Sequence, residues 1–242
     1  MKIVFHPDFY KVYASDPAAE AGRMEAIVRE LRDYEFVQPE KPTEDDILLV
    51  HTKAHYEFVK SEGEVFDVAM LAVGGAILAS KIAFAEPAFA LIRPPGHHAS
   101  PDSAWGFCYF NNVAIAVRKM LVEGKVKSAV IVDFDLHFGD GTANVFRGDE
   151  SVKYYHMSGN NIGGIEDFLR GSDFEVVAVS AGFDRHKEDW GGLLETEDYT
   201  EIGKIIAEIC EKRNAKRFAV LEGGYNHRVL GKNVRAFIKG FE

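Results

Sequence analysis

Short runs of apolar, β-branched residues alternate along the chain with longer stretches whose apolar positions recur at helical spacing. The runs predict strands at 2–5, 47–50, 88–92, 129–134, 152–155, 176–180 and 218–221. The longer stretches predict helices near 19–34, 55–60, 66–85, 112–123, 197–213 and 228–239, with Thr196 as the expected N-cap of the fifth. Ala129 to Val132 carry no polar side chain, which suits a strand covered on both faces. Such alternation predicts an α/β fold with a largely parallel sheet covered by helices on both faces. With no internal repeat, low-complexity tract or linker, residues 1–242 read as a single domain.

The polar residues that stand out fall just after predicted strands. His97 and His98 follow the run at 88–92 through Arg93-Pro-Pro-Gly96, and Asp133, Asp135, His137 and Asp140 end or follow the run at 129–134. Asp184 follows 176–180, and Tyr225 follows 218–221 through Glu222-Gly-Gly224. In a parallel sheet the carboxyl ends of strands share one edge, where open α/β folds bind ligands. Four strands therefore deliver chemistry to one place.

Asp135 and His137 are two apart, so an extended backbone projects them to one side, where both can reach one ion. With Asp184 they make a two-oxygen, one-nitrogen set that leaves a metal an open position, as catalytic rather than structural sites do. The donors fit Zn2+ and also admit Fe2+, Co2+ or Mn2+. Such an ion brings the pKa of bound water toward ~7 and polarises a carbonyl. The tandem His97-His98 can take a proton from the attacking water and return one to a leaving amine. Asp133 and Asp140 are the expected acceptors for the far ring N–H of each histidine. Tyr225, aimed by a glycine turn, can donate to an oxyanion, and Phe107 can wall a narrow apolar channel.

Composition narrows the partners. A formal net charge of -10 and the lack of a Lys/Arg-rich block argue against a nucleic-acid partner and favour a small cationic substrate. Cys108 and Cys210 form no disulfide or zinc framework, and Lys2-Ile-Val-Phe5 does not open as a signal peptide, so a cytoplasmic protein is expected. The uncharged run from Val68 to Ser80 spans only 13 residues, short for a bilayer, and reads as a buried helix.

Five segments resemble the motif series of the zinc-dependent histone deacetylase and acetylpolyamine amidohydrolase family: Arg93-Pro-Pro-Gly-His-His-Ala99, Gly106-Phe-Cys-Tyr-Phe-Asn-Asn112, Val132-Asp-Phe-Asp-Leu-His-Phe-Gly-Asp-Gly-Thr142, Ser180-Ala-Gly-Phe-Asp-Arg-His186 and Leu221-Glu-Gly-Gly-Tyr-Asn226. The resemblance runs from about residue 23 to the C-terminus. It implies the arginase-deacetylase fold and zinc on Asp135, His137 and Asp184. It also implies a His97/His98 relay backed by Asp133 and Asp140, and oxyanion help from Tyr225. Gly106, Phe107 and Gly224 fall to the substrate channel, with Arg23 near an internal acetate exit. A monovalent cation such as K+ beside Asp133 and Asp135 is implied in the same way.

Three departures bear on specificity. Phe138 stands where the family usually has a second His, Trp190 replaces the usual Pro after Asp184, and the segment from Tyr155 to Arg170 lacks the aromatic-Pro-Gly-Thr-Gly loop of the other channel wall. The leading expectation is hydrolysis of an acetyl-amide on a lysine-like or polyamine amine. A non-catalytic acetyl-amine binding or assembly subunit, and a two-metal ureohydrolase, are the alternatives. Neither the natural substrate nor the oligomeric state is legible in the sequence.

Overall fold

The computed structural model describes residues 1–242. The strands are β1 (Lys2–Val4), β2 (Glu35–Val37), β3 (Ala88–Ala90), β4 (Ala129–Asp133), β5 (Val152–His156), β6 (Val176–Ala181) and β7 (Lys216–Leu221). They form one parallel sheet in the order β2-β1-β3-β7-β6-β4-β5. β3, β4 and β6 are buried at every position, as strands covered on both faces must be. The helices are α1 (Arg23–Glu30), α2 (Glu44–Leu48), α3 (Lys53–Lys60), α4 (Glu64–Ile82), α5 (Asn112–Val122), α6 (Asp140–Val145), α7 (Gly163–Arg170), α8 (Thr196–Arg213) and α9 (Leu230–Phe241).

Register explains where the site lies. Ala90 pairs with Val220, Val220 with Ser180, and Ser180 with Asp133, so four neighbouring strands in the middle of the sheet end in one row. The turns that leave β3, β7, β6 and β4 therefore emerge side by side. These are the four turns that carry the polar residues.

Two expectations about elements change. Residues 47–50 are not a strand: α2 takes Ile47 and Leu48, because Thr43 Oγ1 accepts from Asp46 N–H and the Asp46 carboxylate accepts from Thr43 N–H. That reciprocal cap, with three acidic residues in the first turn, overrides the β preference of the apolar run. Thr196 opens α8 but does not cap it. Glu195 is the N-cap, its N–H donating to Asp198 Oδ2 at 2.8 Å, while Thr196 Oγ1 donates to Asn233 Oδ1. The strand β2 and the short helices α6 and α7 add to the elements expected.

α4 is long and apolar enough to cross a membrane by length and composition, yet 72% of its apolar stretch is buried in the domain. It packs against α5 and β3, and its backbone comes so close to its neighbours that a Cβ on Gly75 would stand 2.5 Å from Ile92 Cγ2.

Candidate active site

The loop after β4 brings a carboxylate and an imidazole to the row of strand ends. Asp135, His137 and, from the turn after β6, Asp184 place one ligand atom each within 4.8 Å of one another. Backbone N–H groups hold Asp135 by both oxygens, His137 N–H donating to Oδ1 at 2.9 Å, and Asp184 by one. Gly223 donates to Asp135 Oδ2 at 2.8 Å and Leu136 donates to Asp184 Oδ1 at 3.0 Å. Asp184 Oδ2 is buried without a hydrogen-bond partner, although His137 Nδ1 comes within 3.1 Å of it. An acceptor so placed, beside two further donor atoms, fits a divalent ion. The backbone leaves the room: a Cβ on Gly223 would stand 2.6 Å from Asp135 Oδ2 and 2.8 Å from Asp184 Oδ2.

Electrostatics point the same way. Burial, reinforced by the charge of Asp135, pushes the Asp184 carboxyl up to about 6. Burial would also raise Asp135, but the facing His97 and hydrogen bonds from His137 and Gly223 hold it well below the usual range. The hydrogen-bonded carboxylate of Asp135 and the close carboxylate of Asp184 push His137 up to about 10. Two carboxylates this close call for a cation between them.

The two histidines lie one ring from this centre. His97 Nδ1 is 3.0 Å from Asp133 Oδ2, and His98 Nδ1 is 2.6 Å from Asp140 Oδ1. The rings lie 4.1 Å apart between centroids. Asp133 is itself fixed, since Tyr154 donates its hydroxyl to Oδ2 at 2.8 Å and Asp135 N–H donates to Oδ1 at 3.0 Å. For His97, burial favours the neutral ring, but Asp135 and Asp133 outweigh it and raise the pKa well above the ordinary value. His98 goes the other way, lowered by burial and by His97, with Asp140 opposing.

His97, His98 and His137 floor a cavity of about 150 Å³ whose walls include Phe107, Gly106, Tyr225, Trp105 and Trp190. Gly106 and Phe107 both take left-handed backbone, at φ 60° and 66°, which sets the Phe107 ring edge-on to Tyr225 at 6.0 Å. Asp189 Oδ2 accepts from the N–H groups of Tyr225 and Asn226, at 2.8 and 2.7 Å, and so holds the Tyr225 turn. Gly224 and Arg23 do not line this cavity. Arg23 is fully buried, donating to Gly224 O at 2.8 Å and Glu222 O at 2.6 Å, because a buried guanidinium must satisfy its donors on carbonyls.

Several residues at the site carry no assigned role in the sequence reading. Trp105 stacks on His98 at 4.0 Å and donates Nε1–H to Asp140 Oδ2 at 2.9 Å. Trp190 stacks on Tyr225 at 4.1 Å. Glu222, fully buried and pushed up to about 7 chiefly by that burial, accepts from Gly96 N–H at 2.7 Å and His97 N–H at 3.2 Å. A tryptophan just before Phe107 was the available signal for the first, and the glycine turn Glu222-Gly-Gly224 for the last. Phe138, half exposed, meets Tyr154 and His156 edge-on instead of facing the metal donors. A monovalent cation is the expectation beside Asp133 and Asp135. The carbonyls of Phe134 and Asp135 accept instead from the guanidinium of Arg185.

The parallel sheet, with a metal-donor cluster and paired histidines at its carboxyl edge, has the α/β architecture of the arginase-deacetylase class. The chain belongs to the histone deacetylase family: the family profile for the histone deacetylase domain matches residues 18–162 and 165–241. It is 30% identical to a probable deacetylase of Methanothermobacter thermautotrophicus, over 99% of this chain and 90% of that protein. A probable deacetylase of Archaeoglobus fulgidus is 31% identical, over 93% and 81%. Histone deacetylase HDA1 of Saccharomyces cerevisiae is 35% identical over 81% of this chain, which spans only 38% of that protein. The crystal structure of the HDA15 HD domain superposes with a TM-score of 0.88 at 23% identity, covering 99% of this chain and 88% of that one.

Proposed function

We propose that the chain is a metal-dependent amidohydrolase that removes the acetyl group from a small acetylated amine, with zinc on Asp135, His137 and Asp184. One observation carries this reading: three metal donors cluster directly behind one small, aromatic-walled cavity, which His137 of that set lines together with the two carboxylate-backed histidines. A divalent ion there supplies a Lewis acid and an acidified water.

The chain's own residues supply the rest. Asp133 and Asp140 hold Nδ1 of His97 and His98, which leaves the other ring nitrogens to take and return a proton. Tyr225, kept protonated by burial and by the charges of Asp135 and Asp184, retains its O–H as a donor for a developing oxyanion. Phe107 and the exposed faces of Trp105 and Trp190 bracket the leaving chain. Aromatic faces attract cations, and the net charge of -10 draws them in, so acetylpolyamines and acetyl-lysine are the fitting substrate class. The free thiols Cys108 and Cys210, both buried, suit a reducing cytosol.

Zinc-loaded protein incubated with acetylputrescine or an acetyl-lysine peptide should release acetate, and a chelator should stop it. Saturable binding of these amides with no acetate released would identify a binding subunit instead.

A further inference from the structure

We propose that the guanidinium of Arg185 takes the place of the monovalent cation that the family resemblance implies beside Asp133 and Asp135, so that the chain carries this charge itself. Arg185 follows Asp184 directly and is only 2% exposed. Its Nε donates to Phe134 O at 2.9 Å and Asp135 O at 3.1 Å. Nη1 donates to Gly159 O at 2.6 Å and Nη2 donates to Met157 O. The ring nitrogen Nε2 of His156 lies 3.1 Å from Nη2 and 2.9 Å from Asp135 O, and serves one or the other according to its tautomer.

A bare alkali ion is held by several oxygens that together replace its hydration shell. Here the carbonyl oxygens of Phe134, Asp135, Met157 and Gly159 are already engaged. Four main-chain carbonyls, from the loops after β4 and β5, point at one planar group whose five N–H bonds fan outward to meet them. The carboxylate of Asp133 adds no vacancy, since Asp135 N–H, His97 and Tyr154 already surround its two oxygens. A buried positive charge is costly unless it is paired, and the nearby carboxylates of Asp135, Asp184 and Asp133 supply the opposing field. Arg185 is thus a positioning residue. It ties the chain after β4, β5 and β6 together and fixes the main chain of Asp135, one of the metal donors.

The proposal is separable from acetyl-amine hydrolysis, because its readouts include binding and melting. The parent protein should melt at the same temperature in KCl, NaCl and tetramethylammonium chloride of equal ionic strength, and should show no saturable site for Tl+, a K+ mimic, by 205Tl NMR. Its deacetylation rate should agree within about twofold across the three salts. Arg185→Ala should open the cavity to an ion: it should bind Tl+ saturably, and its melting temperature and rate should rise with KCl but not with tetramethylammonium. Arg185→Lys should fall between parent and Arg185→Ala in its response to KCl. A parent protein that binds one Tl+ saturably, or loses stability in tetramethylammonium, would overturn the proposal, and this salt series decides it even where neither variant folds. An Arg185→Ala protein that folds and ignores K+ would overturn it as well.

Discussion

Trp105 donates its indole N–H to Asp140 while its ring lies 4.0 Å from that of His98, so one side chain holds both members of a histidine–carboxylate pair. The hydrogen bond fixes the carboxylate and the stack fixes the imidazole it serves. Trp105→Phe keeps the stack and removes the N–H donor to a charged acceptor, an interaction worth on the order of 2 kcal/mol when its partner is desolvated. Asp140 is partly exposed, so water recovers much of that, and kcat should fall by roughly three- to tenfold with KM little changed. In a double-mutant cycle with Asp140→Asn the two losses should be strongly non-additive. Additive losses would show that Trp105 acts only as part of the mouth.

Asp184 owes its raised pKa first to burial and then to Asp135, and its Oδ2 has no hydrogen-bond partner. Asp184→Ala should therefore lose metal and activity together. Gly223→Ala tests the same centre from the backbone side, because its Cβ would press on both carboxylates. Elemental analysis of the parent should find one divalent ion per chain. Full metal content in Asp184→Ala, or two ions in the parent, contradicts the assignment.

His97 and His98 each lose a carboxylate partner and a proton-transfer site on truncation. Either His→Ala change should lower kcat on the order of 10²-fold or more while metal stays bound. Near-parental rates in both single variants, measured at matched metal content, would remove the relay.

The residues of this centre were legible for a physical reason. In a parallel sheet, position after a strand is also position in space, and Ala90, Val220, Ser180 and Asp133 stand in one row. Roles that depend on which atom meets which were not legible. Arg185 sits inside a recognised motif, yet only the fold shows its donors converging on Phe134, Asp135, Met157 and Gly159. The helix at 47–48 has a similar origin: Ile-Leu-Leu-Val favours a strand locally, and a cap four residues upstream decides the matter. β2 is an edge strand, Glu35-Phe-Val37, without the buried apolar run that marks the inner strands, and α7 opens on Gly163-Gly164, which reads as a turn.

Substrate grip should be confined to the acetyl end. The cavity is small, and only the short segment 157–162 joins β5 to α7, leaving Trp105 and Trp190 as the mouth. Remote contacts create discrimination among substrates that share a reacting group. Measured kcat/KM for acetylputrescine, acetylspermidine and acetyl-lysine peptides should spread by no more than roughly a hundredfold. Preference for one peptide sequence by thousands would reveal a recognition surface elsewhere.

Stability should fall on acidification because of a histidine away from the metal donors. His51 is buried, with Nδ1 donating to Ser100 O at 3.0 Å and Nε2 accepting from Asn111 N–H at 2.9 Å, an arrangement that only the neutral ring satisfies. Burial, helped by neighbouring His55, pushes its pKa down to about 3 from an ordinary 6.5. The folded value lies below the unfolded one, so between about pH 6.5 and 3 the unfolded chain binds the extra proton. The stability tied to the neutral ring is complete above pH 6.5 and shrinks as the pH falls through that window. For this one group the unfolding free energy should drop by about 2 kcal/mol between pH 7.5 and pH 5. Urea unfolding at the two pH values, compared between the parent and His51→Gln, isolates the contribution, since the variant has no ring to protonate and should show a correspondingly smaller drop. Histidine NMR resonances provide the second check: the His51 ring should stay neutral at pH 5, and a midpoint near 6.5 would refute the assignment.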